Sequence, residues 1–181
     1  MTLLEIRSLS LANTGDGSVN DISLDIEPGE FFTLLGPAKC GASTLLRLIA
    51  GIRAPDKGSM VLEGVDQTAI APAARNINMV FKNDALFPHM SVSQNIAFSL
   101  QMSDVAPAEI QKRVDEWLDR FALKGKEKHL PKSLSRIERK QVSLARALIK
   151  RPQILLLDDP FATLLATQRE KMQSELVSMQ R

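Results

Sequence analysis

The chain has 181 residues and a formal net charge of +2, from 23 basic and 21 acidic side chains mixed along it, and gives no support to nucleic-acid binding. With 44% apolar and 24% charged residues it is predicted to fold as a globule, which excludes disorder and collagen-like repeats. Its single cysteine, Cys40, excludes an internal disulfide and a multi-cysteine metal cluster and favours a reducing compartment.

The N-terminus lacks the basic start of a signal peptide, and no apolar run approaches the roughly 20 residues of a membrane span. We therefore expect any contact with a membrane to go through a partner.

The first part of the chain predicts strands followed by a glycine loop and a helix. Imperfect alternation of apolar and polar residues at 3–11 and 22–26 predicts a strand pair with one solvated face. After a turn at Pro28 and Gly29, the nearly continuous apolar run 31–35 predicts a central parallel strand buried on both faces. Leucines at helical spacing up to Ile49 predict a helix, with Gly51 as its left-handed cap.

Further along, short strands are predicted at 60–62 and 77–81, and the region from Ser91 to Lys150 is predicted to be mainly helical. One helix begins at Pro107 and carries an apolar stripe through Trp117. Another begins after Ser135, in a sequence of capping-box form. An apolar strand at 154–157 and a last helix from about Leu164 complete the prediction.

The glycine loop, GPAKCGAST, follows the phosphate-loop pattern G-x-x-x-x-G-K-[ST] at Gly36, Gly41 and Ser43. In such loops, backbone N–H groups converge on phosphates and a lysine neutralises their charge. The pattern fails at Ala42, which stands where the lysine is required. The loop therefore keeps the hydroxyl of this pattern and lacks its cation.

A second loop offers the carboxylates of Asp158 and Asp159 directly after the strand 154–157. Because the carboxyl ends of parallel strands share one sheet edge, where ligands bind in α/β folds, we expect the two loops to lie together. A loop hydroxyl and a distant aspartate are the groups that hold magnesium in this kind of site.

The order of four segments resembles the ATP-binding subunit of ABC transporters, in particular the bacterial importer type. GPAKCGASTLLRLIAG is similar to the Walker A loop and helix of that family, and VFKNDALFPHMSVSQNIAF to its Q-loop region. LSRIERKQVSLARALIKRP is similar to the signature helix, and ILLLDDPFATLLA to the Walker B segment and D-loop. The resemblance covers nearly the whole chain.

The resemblance implies an α/β fold: a P-loop NTPase core of RecA-like type with an antiparallel β subdomain and a helical signature-motif subdomain, truncated at the C-terminus. We expect a single nucleotide-binding domain over 1–181, with the helical subdomain at about 91–150. The last core strands and the switch-histidine segment would lie beyond Arg181.

The resemblance also implies ATP and Mg²⁺ as cofactors. It assigns nucleotide binding to the glycine loop, at Gly36, Pro37, Lys39, Cys40, Gly41, Ala42, Ser43 and Thr44. Magnesium would be held by Ser43 and Asp158. Asp159 stands where the family has its catalytic glutamate and is shorter by one methylene.

The partners that the resemblance implies are transmembrane permease subunits and a second nucleotide-binding domain, with two ATP molecules sandwiched between the pair. The implied location is cytoplasmic, peripheral on the inner face of the cell membrane. In family members, the region that corresponds to 87–90 is presented to the permease, although simple hydrophobic packing also explains these residues.

Departures from the family lie where nucleotide would be touched. Lys39 replaces a glycine in a turn that needs positive φ, at a cost of about 1 to 2 kcal/mol. Ala42 removes charged hydrogen bonds worth roughly 1.5 to 3 kcal/mol each. Lys82 replaces the glutamine that meets magnesium and the attacking water, so a cation would face a cation.

The remaining departures concern contacts with the partner subunit and with the adenine ring. Arg136 and Ile137 replace two signature glycines, and their side chains would fill the space that phosphates need. Leu165 stands for an aspartate that crosses the dimer interface, and no aromatic residue near Asn13 can stack on adenine.

These substitutions predict a pseudo-ATPase: a transporter subunit that hydrolyses ATP poorly and binds nucleotide weakly or not at all. Two alternatives stay open. One is an interaction module that docks a permease or partner subunit without nucleotide. The other is an active ATPase in which Lys39, three positions upstream, replaces the lysine lost at Ala42.

Overall fold

The computed structural model describes residues 2–12 and 15–180. It divides into two compact units, one formed by residues 1–77 with 179–181 and the other by residues 78–178. The expectations about adenine stacking near Asn13 fall outside the described residues.

The first unit is built on a four-stranded antiparallel sheet. Its strands are β1 (Leu4–Leu11), β2 (Val19–Ile26), β3 (Lys57–Leu62) and β4 (Val65–Asp66), in the order β2-β1-β3-β4. Leu4 in the central strand pairs with Ile26 on one side and Leu62 on the other, and its side chain is fully buried. The predicted strand pair is therefore confirmed, and β4 was not predicted because two residues carry no periodic pattern.

The helix α1 (Ala42–Ile49) follows the glycine loop, as predicted. Gly51 has φ +75°, which confirms its left-handed conformation after the helix. The buried guanidinium of Arg75 satisfies the carbonyl oxygens at this helix end, donating to Leu48 O at 3.0 Å and Ile49 O at 2.8 Å. Burial lowers the pKa of Arg75 from its ordinary value.

The apolar segment 31–35 does not form the predicted central strand. It belongs to neither sheet of the described residues, and its side chains other than the half-buried Leu34 are exposed, Phe31 by 54% and Leu35 by 91%. A buried parallel strand needs neighbours that pair with its N–H and C=O groups. Without such neighbours among the described residues of its own unit, the segment lies outside both sheets. The prediction of one sheet that carries both loops is wrong for the same reason.

The second unit contains a two-stranded sheet of β5 (Ile77–Val80) and β6 (Ile154–Leu157), at the positions that the sequence predicts. Its helices are α2 (Val92–Gln101), α3 (Pro107–Arg120), α4 (Arg136–Leu148) and α5 (Ala166–Gln180). Only Leu156 of β6 is buried, so this strand is less enclosed than its apolar sequence suggests.

The core of the second unit lies where α2 packs against α3 and α4. Its fully buried side chains include Ile96, Leu100, Leu118, Phe121 and Leu144. The predicted start of α3 at Pro107 and the predicted cap of α4 at Ser135 are both confirmed. Within the described part of the chain, no helix combines the length and the apolar character that a membrane crossing requires.

Candidate functional site

The glycine loop forms a tight turn that leads into α1. Cys40 donates its N–H to Pro37 O at 3.1 Å, and Gly41 precedes the helix with φ +94°. Lys39 has φ +64°, so the predicted lysine in a left-handed turn position is confirmed. The N-terminus of a helix favours anions through its N–H groups and dipole, which makes this end of α1 a candidate phosphate site.

The loop that follows β1 packs directly on the glycine loop. A Cβ added to Gly17 would lie 2.1 Å from Lys39 O, and one added to Gly41 would lie 2.4 Å from Ser18 O. The buried hydroxyl of Thr44 donates to Gly17 O at 2.8 Å. The Thr44 hydroxyl, which the sequence assigns to nucleotide binding, therefore serves this packing contact.

The glycine loop encloses a small cavity of about 190 Å³. Of the predicted nucleotide-binding residues, all but Thr44 line it: Gly36, Pro37, Lys39, Cys40, Gly41, Ala42 and Ser43. Cavities that enclose drug-sized ligands typically measure about 300 to 1,000 Å³. The cavity therefore has the size of a small anion such as one phosphate group.

Asp16 also lines this cavity and forms an ion pair with Arg47 of α1. Sequence reasoning missed Asp16, because its place at the loop depends on how the β1–β2 connection folds back. A carboxylate beside a phosphate site opposes anion binding by like-charge repulsion. The Arg47 partner offsets part of that negative charge.

The second predicted loop begins at Asp158, whose N–H donates to Val80 O at 3.0 Å. Asp159 has φ +44°. Its Oδ2 forms an ion pair with Lys82 Nζ at 3.2 Å. Both of these side chains are 60% exposed. The carboxylate predicted to act as the base is thus engaged by a cation of its own chain.

The glycine loop supplies part of what a magnesium triphosphate requires. The glycine loop supplies backbone donors and the Ser43 hydroxyl, but Ala42 gives no charge and Asp16 adds a negative one. The two predicted magnesium ligands are Ser43, near the start of α1, and Asp158, directly after β6. Across residues 2–12 and 15–180 there is no group of three or more His, Cys, Asp or Glu side chains that could hold a metal ion.

At the start of α4, Ser135 and Glu138 form the predicted capping box. The Ser135 side chain accepts from Glu138 N, and Glu138 accepts from Ser135 N at 2.8 Å. The ammonium of Lys126 and the Ser135 backbone bond lower the pKa of Glu138 to about 2. Arg136 is exposed and Ile137 half-buried in this first turn, where the family has bare glycine backbone.

Comparison with known proteins places these loops in a family. The ABC transporter family profile matches residues 19–162. The chain is 48% identical over all its 181 residues to the spermidine/putrescine import ATP-binding protein PotA of Nitrosospira multiformis, of which it covers 50%. It is 47% identical over 177 residues to the putrescine transport ATP-binding protein PotG of Escherichia coli, with 98% of this chain and 47% of PotG covered.

A solved dimeric structure of the ATP-binding cassette MJ0796, in a post-hydrolysis state with ADP and Pi, matches with a TM-score of 0.85. The sequences are 24% identical over 98% of this chain and 83% of the other, so the likeness concerns the fold. The chain belongs to the ABC transporter family and has its α/β P-loop NTPase fold. It spans about half the length of the curated relatives that it matches.

Proposed function

We propose that this chain is the ATP-binding cassette of an importer and that it is deficient in ATP hydrolysis, with weak nucleotide binding at most. The observation that carries the proposal is Ala42 at the first position of α1, on the cavity wall where the loop pattern requires lysine. Losing one electrostatic clamp typically costs about 10² to 10³ in rate. The ion pair between Lys82 and Asp159 adds to the deficiency, because it engages the carboxylate that would orient water.

The test restores the missing cation. Ala42→Lys is expected to gain Mg-ATP binding. The unaltered chain is expected to show little or no thermal shift with Mg-ATP and to release phosphate only at the background rate. Nucleotide at 100 times its Kd stabilises by about 2.7 kcal/mol, a rise of about 5 to 10 °C in Tm for a chain of this size. Ala38→Lys is the matched control, because it adds a cation to the same cavity wall at another position.

Rapid, magnesium-dependent phosphate release by the unaltered chain would contradict the proposed deficiency. An equal thermal shift with both lysine variants would contradict the assignment of Ala42 as the decisive position.

Binding through Lys39 is the second candidate, because Lys39 is exposed and lines the same cavity. Lys39→Ala decides between the two: if Lys39 replaces the lost lysine, this substitution abolishes a phosphate release that the unaltered chain displays. Equal background rates in both proteins exclude an active ATPase that uses Lys39.

An interaction module without nucleotide is favoured by the carboxylate of Asp16 on the cavity wall. For that function, Mg-ATP leaves the Tm unchanged even at millimolar concentration. A dose-dependent rise in Tm excludes it and supports a cassette that still binds nucleotide.

For partners, we infer permease subunits of a spermidine or putrescine importer and a second cassette, from the functions of the relatives. The location would be cytoplasmic and peripheral on the membrane. A cavity of about 200 Å³ lies beside Phe87, whose ring packs 4.5 Å from that of Phe98 in α2. That contact supports the packing role of Phe87, while the neighbouring Pro88 and His89 are exposed for docking.

Cross-linking tests this docking surface. With Cys40→Ser as background, His89→Cys is expected to cross-link to co-expressed permease subunits of a putrescine importer, and Lys57→Cys in the other unit serves as control. Equal cross-linking at both positions would contradict docking at 87–90.

A further inference from the structure

The loop 81–85, which follows β5, is held along one face of α4. The α4 residues that contact it are Arg139, Lys140, Ser143 and Arg146. Spacings of three and four residues put side chains on one face of a helix, so the contact follows from the helical period. Nothing in the family resemblance required these four polar contacts.

Lys140 is the centre of this contact and is only 1% exposed. Its Nζ donates to Lys82 O at 2.6 Å and to Phe81 O at 3.4 Å. It also lies 2.9 Å from Asp84 Oδ1, an ion pair whose angle lies outside hydrogen-bonding geometry. The two acceptors and the ion-pair partner of the buried ammonium therefore all come from the same loop.

The neighbouring side chains of α4 bind the rest of the loop. Arg139 Nε lies 3.3 Å from Asp84 Oδ2, and Ser143 Oγ donates to Asp84 O at 3.0 Å. Arg146 donates to Asp84 O at 3.1 Å and to Ala85 O at 2.8 Å. Side chains of α4 thus bind four main-chain carbonyl oxygens of the loop, those of Phe81, Lys82, Asp84 and Ala85, as well as one carboxylate.

Two physical arguments indicate that the loop depends on this contact. A buried ammonium is costly unless it is paired and hydrogen-bonded, so removing either side leaves the other without compensation. Ala85 has φ +47°, a conformation that non-glycine residues keep only when their surroundings enforce it. The surroundings that do so are the side chains of α4.

We propose that Lys140 is a positioning residue that fixes loop 81–85 on α4 and thereby holds the Lys82 side chain beside Asp159. An exposed ion pair is weak because ordering two long side chains offsets its attraction. Anchoring the Lys82 carbonyl removes part of that cost before the ammonium reaches Asp159. The ion pair would keep Asp159, the candidate base, from orienting water. This consequence for catalysis rests on the proposed function.

Lysine acetylation of the unaltered chain gives the first test. With acetic anhydride as the probe, Lys140 is expected to react at least about 100-fold more slowly than the exposed Lys150 just after α4. Equal rates at the two lysines would overturn the buried, three-partner arrangement.

The second test compares Lys140→Met with its matched control, Lys150→Met. Hydrogen exchange at the amides of 81–86 is expected to accelerate at least about tenfold in Lys140→Met and to stay unchanged in the control. In the same variant, Lys82 is expected to be acetylated about two to five times faster, as the loss of an exposed ion pair predicts. Unchanged exchange and acetylation in a folded Lys140→Met protein would overturn the proposal.

Asp84→Asn covers the case in which Lys140→Met does not fold, because it removes the ion pair and keeps the carbonyl acceptors of Lys140. Faster exchange confined to 81–86 supports the proposal, and unchanged exchange overturns it. Neither acetylation nor hydrogen exchange needs nucleotide. Their outcomes are therefore independent of the phosphate-release and thermal-shift tests of the proposed function.

Discussion

At the residue scale, Gly17 couples the glycine loop to the connection between β1 and β2. It has φ +98°, and the backbone of Lys39 and Gly41 leaves no space for a Cβ. Nothing in the sequence around Gly17 reveals this, because the crowding comes from a segment more than 20 residues further along the chain. The shape of the candidate phosphate cavity thus depends on a residue outside the recognised pattern.

Gly17→Ala is expected to destabilise the protein by more than about 3 kcal/mol, because it combines a strained φ with a backbone clash. Gly64→Ala is the control: Gly64 has φ +79° but no atom within 4 Å of an added Cβ. It should lose only the conformational part, about 1 to 2 kcal/mol. Urea unfolding measures both, and equal losses would contradict the clash.

Glu138 gives stability a specific pH dependence. Its pKa falls from 4.5 to about 2 in the folded chain, so folding favours the charged form. Its contribution to the free energy of unfolding is complete above about pH 4.5 and is lost as the pH falls toward about 2. Urea unfolding at about pH 6 and pH 3 should show a smaller acid loss in Glu138→Gln than in the unaltered chain. Equal losses would contradict a lowered pKa.

Arg75 illustrates a cap provided by a distant side chain. Arg75→Met is expected to cost about 2 to 4 kcal/mol, since it leaves carbonyl oxygens at the end of α1 without their charged donor. The matched control is Arg53→Met, at an exposed arginine of the same unit, which should change stability by less than about 0.5 kcal/mol. A comparable small effect of both substitutions would contradict the capping role.

At the scale of elements, the sequence predicted the features that depend on residues close together in the chain. The helix cap at Gly51, the start of α3 and the capping box of α4 depend on neighbours within a few residues. The strands β1 and β2 show their own local signal, an alternation of apolar and polar residues. The segment 31–35 could not be predicted in this way. An apolar run indicates that a strand can be buried, but its burial depends on strands elsewhere in the chain.

The same distinction explains the candidate site. The pattern of glycines and Ser43 located the cavity, and the strand 154–157 located Asp158 and Asp159. Asp16, the Thr44 bond to Gly17 and the Lys82 ion pair arise from packing between separate segments. From the sequence, Lys82 was expected to be repelled by a metal ion, whereas the structure shows it paired with Asp159. This pairing could not be predicted locally, because Asp159 lies 77 positions away along the chain.

A leucine pair tests the solvated state of segment 31–35. Leu35→Ala is expected to change the free energy of unfolding by less than about 0.5 kcal/mol, because Leu35 is almost fully exposed. Leu4→Ala, the same change in the buried centre of the antiparallel sheet, should cost about 2 to 5 kcal/mol. Large losses in both variants would contradict an exposed segment.

At the scale of the whole molecule, the proposed function implies that the scaffold has been kept while the catalytic chemistry has been lost. The antiparallel sheet, the helical core and the capped α4 are intact, while substitutions cluster at the positions that would touch nucleotide. Residues that act as a unit in catalysis fail together, so correcting one of them recovers little turnover. Binding depends on fewer groups and is expected to return first.

Restoring four positions together tests this order of recovery. The variant carries Ala42→Lys, Lys82→Gln, Arg136→Gly and Ile137→Gly, and it is expected to bind Mg-ATP with little phosphate release, because Asp159 remains one methylene short of glutamate. Misplacement by about 1 Å can cost on the order of 10²-fold in rate. Titration calorimetry and a phosphate-release assay follow the two activities. Turnover that returns at full rate without a change at Asp159 would contradict the expected order.

The single thiol of the chain, Cys40 on the cavity wall, offers a natural attachment point for a fluorescent reporter of ligand binding. Cys40 is exposed and has no second cysteine to compete for a thiol-reactive dye. A solvatochromic fluorophore attached there would respond to whatever enters the turn, and its emission would report occupancy in real time without engineering a labelling position.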